Sequence, residues 1–300
     1  MSDAPAPTCS DASLATGEPL AGTASEARFF AAISWPKALW HHDSVALSDG
    51  LPEAIGELEQ RAKKSEQTLQ LRLFQRAGGA ATDRVELICA DFLASRTAHH
   101  RDLPAERCAE AIGAFLAGDD AAPPLERPLL LVCTDGKHDL CCGKLGRSLV
   151  AALRSEARIE VVEVSHLGGH RLAANCLALP SGDLYGRVAP ADARALVDAL
   201  QHRQVYLPRY RGRSGLRELA QVALAEALAR FPAATGVRLD APAKADARAV
   251  VPVELRDGVG SRRLAVRCVA REFEAIASCG DTEPEKRQRW VVESVREEKS

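Results

Sequence analysis

The sequence predicts an α/β protein: a smaller α/β unit, a second α/β unit, and then a C-terminal helix and β extension. Three observations carry this. PLLLVC (128–133) is a continuous apolar run, as in a strand buried on both faces, and helically spaced GKLGRSLVAALRSEA (143–157) joins it to the strand-like IEVVEVS (159–165). LAANCLALP (172–180) and LYGRV (184–188) flank the turn Ser181-Gly182-Asp183, a hairpin signal. Near the C-terminus, ARAVVPVELRDG, SRRLAVRCVA and RWVVESV alternate apolar and polar residues at period two.

Taken in order, RFFAAIS (28–34) predicts a short strand. LPEAIGELEQRAKKSEQ (51–67) predicts a helix, with Asp49 as candidate N-cap and Pro52 in its first turn. LQLRLFQR (69–76) and RVELICADF (84–92) predict strands, with a hairpin loop at Gly78-Gly79. PAERCAEAIGAFLA (104–117) predicts a helix opening on Pro104. GDDAAPPLERP (118–128) has linker composition and sets a domain boundary. In the second unit, PADARALVDALQHR (190–203) is a helix with Pro190 at its start. By analogy of element order, β-α-β followed by β-β-α is the minimal thioredoxin-like arrangement. Segment 28–117, read as β-α-β-β-α, admits a degenerate second copy without a matching sequence repeat. LRELAQVALAEALARF (216–231) is a further amphipathic helix, and Asp257-Gly258 fits a hairpin turn in the extension. The expected divisions are a disordered tail at 1–22, an N-terminal α/β domain at 23–120, the second α/β domain at 121–235 and the β-rich extension at 236–300.

Composition excludes several classes. A chain of 300 residues with 46% apolar and 27% charged side chains has ample material for a core. A formal net charge of −2 provides no global basic field, so neither nucleic acid nor membrane is an expected partner. No run reaches the roughly 18 apolar residues of a membrane span. The N-terminus lacks the basic and apolar regions of a signal peptide. A cytoplasmic setting with reduced thiols is expected. The nine cysteines, at 9, 89, 108, 133, 141, 142, 176, 268 and 279, are odd in number and include a vicinal pair. They point to metal binding or redox chemistry rather than a disulfide framework.

Two pairs stand out: Cys133 with Cys142, and His166 with His170 in SHLGGH. If strands 128–133 and 159–165 are parallel, their C-terminal ends share one sheet edge. Cys133 then ends the first strand, Cys142 starts the connecting helix, and both histidines leave the second strand. Functional groups of open α/β sheets favour that edge. Gly168 and Gly169 argue against a helix and allow the backbone to wrap closely around a bulky group. Two thiolates and two imidazoles are compatible with tetrahedral zinc or with a [2Fe–2S] cluster.

The strings CTDGKHDLCCGKLG (133–146), SHLGGHRLAANCLALPSGDLYGRV (165–188) and RGRSGLRELAQ (211–221) resemble the sucrase/ferredoxin-like family. The resemblance covers about 120 residues strongly and extends more loosely from residue 20 onward. It implies a thioredoxin-like ferredoxin domain and a [2Fe–2S] cluster ligated by Cys133, Cys142, His166 and His170. Cys141 departs from the family pattern, where Arg or another non-ligand is expected in many relatives. The implied activity is electron transfer, with an unnamed redox donor and acceptor protein as partners and proton coupling expected if the imidazole N–H groups face solvent. A structural zinc-binding interaction module and a thiol-dependent redox enzyme are the alternatives. No G-x-G-x-x-G follows a strand, so a nicotinamide site is not expected, and no pair of glycosidase carboxylates is identifiable.

Asp139, Cys141, Gly168, Gly169, Arg171 and Asn175 are candidates for support around the ligands. His138 and the His41-His42 pair read as exposed polar residues. Arg209, Arg211 and Arg213 read as a solvated basic face, with docking of an acidic partner as the alternative. Cys9, Cys89, Cys108, Cys176 and Cys268 read as small buried hydrophobes, and Cys279 as less buried.

Overall fold

The computed structural model describes residues 8–298, apart from 43, 65–67, 235, 243, 257, 259 and 282. It opens with helix α1 (Cys9–Ala15), where Thr8 and Asp11 form a reciprocal capping box. The expected tail therefore gives way to structure from Thr8 onward. Cys9, Ser13 and Glu18 are buried, because this segment packs onto the rest of the fold rather than into solvent.

The first unit follows as β1 (Phe29–Ser34), α2 (Glu53–Lys64), β2 (Leu69–Gln75), β3 (Arg84–Asp91), β4 (Arg96–Pro104) and α3 (Cys108–Ala117). The second is β5 (Leu129–Cys133), α4 (Leu140–Glu156), β6 (Glu160–Val164), β7 (Cys176–Leu179), β8 (Asp183–Tyr185), α5 (Ala193–Gln201) and β9 (Tyr210–Arg213). All nine strands lie in one sheet, ordered β4-β3-β1-β2-β6-β5-β7-β8-β9. β1 and β2 are parallel across α2, and β5 and β6 are parallel across α4. The two halves meet at an antiparallel β2–β6 contact, Phe74 opposite Val164. On either side of that contact the strand order runs outward in matching sequence: β2-β1-β3-β4 and β6-β5-β7-β8. The expected second copy is thus visible as topology, and the linker at 118–128 joins two halves of one continuous sheet.

Two differences from the sequence expectation have physical reasons. The Gly78-Gly79 turn does not make a β2–β3 hairpin. β3 pairs with the far edge of β1, and β6 takes the free edge of β2, so both central strands have both edges filled. Strand β4 (RTAHHRDLP) went unpredicted because an edge strand can carry charged residues.

Alternate residues of β5 serve opposite layers. Leu130 and Val132 pack with Leu149 and Leu153 of α4 and Leu196 of α5. Leu129, Leu131 and Cys133 pack on the other face with Val162, Val164 and Cys142. Helix α6 (Glu218–Arg230) is buried on two sides. Leu224 and Leu228 join the core of the second unit, while Leu219, Val222 and Ala227 meet the C-terminal sheet. That sheet is β10 (Gly236–Leu239), β11 (Arg248–Arg256), β12 (Ser261–Ala275) and β13 (Glu285–Glu298), antiparallel throughout. The short β10 was not anticipated, and the Asp257-Gly258 turn includes Asp257, which lies outside the described residues. Among the described residues no helix is long and apolar enough to cross a membrane.

One ion-pair group tests this frame. Glu86 on β3 accepts from Arg76 at 2.5 Å and contacts His99 of β4 at 2.6 Å. Burial opposes its charge, but Arg76 and then His99 outweigh it and hold the carboxyl at about 2 instead of the ordinary 4.5. At about 1.4 kcal/mol per unit this corresponds to at most roughly 3.5 kcal/mol. Because the folded value is depressed, the stabilisation is present above the ordinary carboxylate range and lost as pH falls toward about 2. Urea unfolding of Glu86→Gln should show a penalty near pH 6 that shrinks steadily below pH 4.5. A penalty constant with pH would contradict the ion-pair account.

Candidate metal centre

Parallel β5 and β6 end in register, Cys133 opposite Val164, so the loops that follow leave from one edge. Asp139 takes an extended conformation and caps α4, its carboxylate accepting from the Cys141 N–H at 2.8 Å. The helix therefore begins at Leu140, earlier than the apolar spacing from 143 suggested. Successive helical residues point about 100° apart. This separates the vicinal pair. Cys142 turns toward His166, its Sγ 3.7 Å from Nδ1, whereas Cys141 turns away to Cys9 and Cys279. Donor atoms of Cys133, Cys142 and His166 lie within 4.8 Å of one another, and so do those of His138, His166 and His170. His166 belongs to both groups.

The histidine loop is held from several directions. Gly168 and Gly169 take positive φ, +93° and +72°, which the sequence anticipated as tight turning. Asn175 donates to the Gly169 carbonyl at 2.9 Å. Arg211, buried, donates to the Gly168 carbonyl and to Asn175 Oδ1, both at 2.9 Å. Arg171 forms a buried ion pair with Glu18 at 2.6 Å, fixing the N-terminal segment to this loop. His170 Nε2 donates to the Ala277 carbonyl, while its buried Nδ1 has no hydrogen-bond partner among the described residues. The sequence makes proton coupling conditional on imidazole N–H groups that face solvent. Instead, the C-terminal extension supplies an acceptor for the N–H of His170.

The electrostatics favour a thiolate. Cys133 lies well below the usual thiol range because Cys142 donates to it and, against the effect of burial, His166 also supports the charge. Cys142, the donor, is pushed up by that same bond and by burial. Burial pulls His166 down, with Cys133 opposing. Two guanidiniums stand close by, that of Arg211 buried and that of Arg72 half-buried. Arg72 is lowered to about 10 and Arg211 to about 9, both chiefly by desolvation, while the nearby sulfurs of Cys133 and Cys142 favour their charged forms.

A family model described as sucrase/ferredoxin-like matches residues 20–212. The chain belongs to the sucrase/ferredoxin-like family. Among curated proteins, this sucrase/ferredoxin-like chain is similar to altered inheritance of mitochondria protein 32 of Eremothecium gossypii. The two are 38% identical over 104 residues, 30% of this chain and 33% of that protein. It is also similar to the protein of the same name from Debaryomyces hansenii, 34% identical over 82 residues, 24% of this chain and 30% of that protein. The matches thus span about a third of these relatives. Among solved structures, a thioredoxin-like [2Fe–2S] ferredoxin from Aquifex aeolicus is 15% identical. The alignment covers 29% of this chain and 91% of that one, with a TM-score of 0.26.

Several residues of this family member differ from their sequence reading. His138 is half-buried, not exposed. Its ring stacks on His166 with centroids 3.7 Å apart, and its Nδ1 donates to the His42 carbonyl at 2.8 Å. Its position between Cys133 and Cys142 in CTDGKHDLCC was the available signal. The arginine cluster is not a free docking face. Arg209 pairs with Asp192 at 2.8 Å, Arg213 with Asp183 at 3.0 Å, and Arg211 turns inward onto the histidine loop. Cys9 is not tail but part of a second sulfur cluster with Cys141 and Cys279. Gly146, read only as part of a helix, packs against the Cys133 carbonyl so closely that a Cβ would sit 1.9 Å from its oxygen.

Proposed function

We propose that this chain is a one-electron carrier whose [2Fe–2S] cluster is held by Cys133 and Cys142 on one iron and by His166 and His170 on the other. The observation that carries the reading is the state of His170. Its Nε2 hydrogen is tied to a backbone carbonyl, which fixes the tautomer and leaves Nδ1 as a buried lone pair without a hydrogen-bond partner among the described residues, on a ring grouped with His166, which in turn is grouped with Cys133 and Cys142. The thiolate bias at Cys133 and family membership support the same reading. A bound cluster would supply reversible one-electron transfer.

The chain's own residues set the conditions. Cys133 and Cys142 are buried, whereas His138, His166 and His170 are half-exposed. Electrons exchanged with a donor and an acceptor protein would therefore pass on the histidine side. Neutral imidazoles in place of two thiolates, together with Arg72 and Arg211, reduce the excess negative charge and raise the potential above that of a four-cysteine cluster.

The test is chemical analysis of anaerobically purified protein, with visible absorption on the same sample. About two irons and two sulfides per chain are expected, with absorption that dithionite bleaches. Protein free of iron and sulfide, even after reconstitution with both, would overturn the proposal. Zinc found at Cys133 and Cys142 in that case would favour a structural role for these residues.

A further inference from the structure

The second sulfur cluster lies on the opposite side of Cys141-Cys142 and plays no part in the proposed carrier site. Cys9 of α1, Cys141 of α4 and Cys279 of the β12–β13 connection meet with Sγ separations of 3.5, 3.2 and 3.5 Å. They come from three segments more than 130 residues apart in sequence. Cys9 and Cys141 are buried and Cys279 is half-buried. Asp139 closes the group, with Oδ1 3.2 Å from the Cys279 sulfur and 3.9 Å from that of Cys9. Its carboxylate is fixed there by the Cys141 N–H, the Cys279 N–H at 3.1 Å and the Ser278 hydroxyl at 3.2 Å. Ala173, Leu145 and Ile276 pack around the sulfurs.

From this geometry we propose that Cys9, Cys141, Cys279 and Asp139 form a closed structural site for a single zinc ion. Tetrahedral thiolates at about 2.3 Å from zinc stand about 3.8 Å apart, so two sides of the observed triangle need to open by about 0.3 Å and the third by about 0.6 Å. A disulfide instead requires two sulfurs at about 2.05 Å. Here the three separations are nearly equal, no pair is singled out, and any bridge would leave one thiol over. A polynuclear cluster would require wider spacing. Three thiolates and a carboxylate complete four-coordination without an open position, which is the structural rather than the catalytic arrangement. The N-terminus of α4, where Cys141 lies, favours the negative charge of the thiolates. The ion would clamp both chain ends onto α4. The clamped 276–279 loop also carries the Ala277 carbonyl that holds His170, so the site would brace the neighbouring candidate centre.

The test measures zinc and iron per chain on the same preparations of full-length protein. Wild type is expected to hold about one zinc. Cys9→Ser/Cys279→Ser should lose it, whereas Cys133→Ser/Cys142→Ser should lose iron and keep zinc. If the first double variant does not fold, cobalt titration of Cys133→Ser/Cys142→Ser decides. Thiolate-to-cobalt charge-transfer bands with the intensity of three sulfurs at one equivalent are expected. Zinc-free wild type that takes up neither zinc nor cobalt would overturn the proposal. So would loss of zinc with Cys133 and Cys142, or a Cys141–Cys279 disulfide in unreduced protein. An iron-free wild type that still binds zinc at Cys9 and Cys279 would overturn the carrier reading alone.

Discussion

Replacing Gly146 with alanine is expected to lift helix α4 off strand β5 and, on the proposed reading of the site, to strip the protein of iron. The new Cβ would lie 1.9 Å from the Cys133 carbonyl oxygen, 3.0 Å from its carbon and 3.3 Å from the Thr134 Cα. All three are backbone atoms, so no side chain can rotate away. Relief requires the helix to withdraw by more than an ångström. Cys142 sits one turn earlier on the same helix and would move away from Cys133 with it. Overpacking of this kind typically costs about 1–3 kcal/mol and occasionally more, and a backbone-to-backbone clash belongs at the top of that range. Gly113 of α3 provides the control. Among the described residues nothing outside its own helix turn lies within 4 Å of its added Cβ, so Gly113→Ala should be neutral or stabilise by up to about 1 kcal/mol. Urea midpoints and iron content of both variants check this. Wild-type stability and iron in Gly146→Ala would refute the close-packing account.

The elements that the sequence made legible are those whose apolar pattern is local. β5 is apolar throughout because both its faces are covered, and the crossover through α4 then puts Cys133, Cys142 and the histidine loop at one edge. Strand β4 was illegible because an edge strand has little apolar surface to bury. The meeting of β2 with β6 was illegible because it rests on only two pairs of residues about 90 positions apart. Among site residues, glycine pairs and short Cys/His spacings leave local marks. Arg211 leaves none. Its place in an arginine-rich string suggests solvent, and only the fold shows it buried against Gly168 and Asn175. Cys9 and Cys279 are similar. Each is a lone cysteine in its segment, and their contact with Cys141 arises only when the two chain ends pack together. The choice within Cys141-Cys142 became readable once Asp139 was seen to cap the helix, since that cap fixes which way each sulfur points.

His166→Cys is expected to lower the reduction potential of the iron-loaded protein by on the order of 100 mV or more. Plant-type four-cysteine centres lie near −400 mV, whereas centres with two histidines on one iron span roughly −150 to +300 mV, so each imidazole accounts for a substantial part of the difference. The substitution exchanges a neutral ligand for an anionic one, and the added charge disfavours reduction. Position 166 is the informative one because His166 belongs both to the group with Cys133 and Cys142 and to the group with His138 and His170. His138 is the competing ligand, since its ring lies 3.7 Å from that of His166. The proposed assignment makes His138→Asn a change outside the ligand set, so its visible spectrum should remain that of wild type. A titration followed by visible absorption and electron paramagnetic resonance separates the two. An unchanged potential in His166→Cys, or loss of the wild-type spectrum in His138→Asn, would transfer the ligand role to His138. On the proposed assignment, the wild-type potential would be raised by the ligand charge and the fixed cations together. Arg72 near Cys133 and Arg211 near Cys142 remain in place in every one of these variants, so the measured shift isolates the ligand's own contribution.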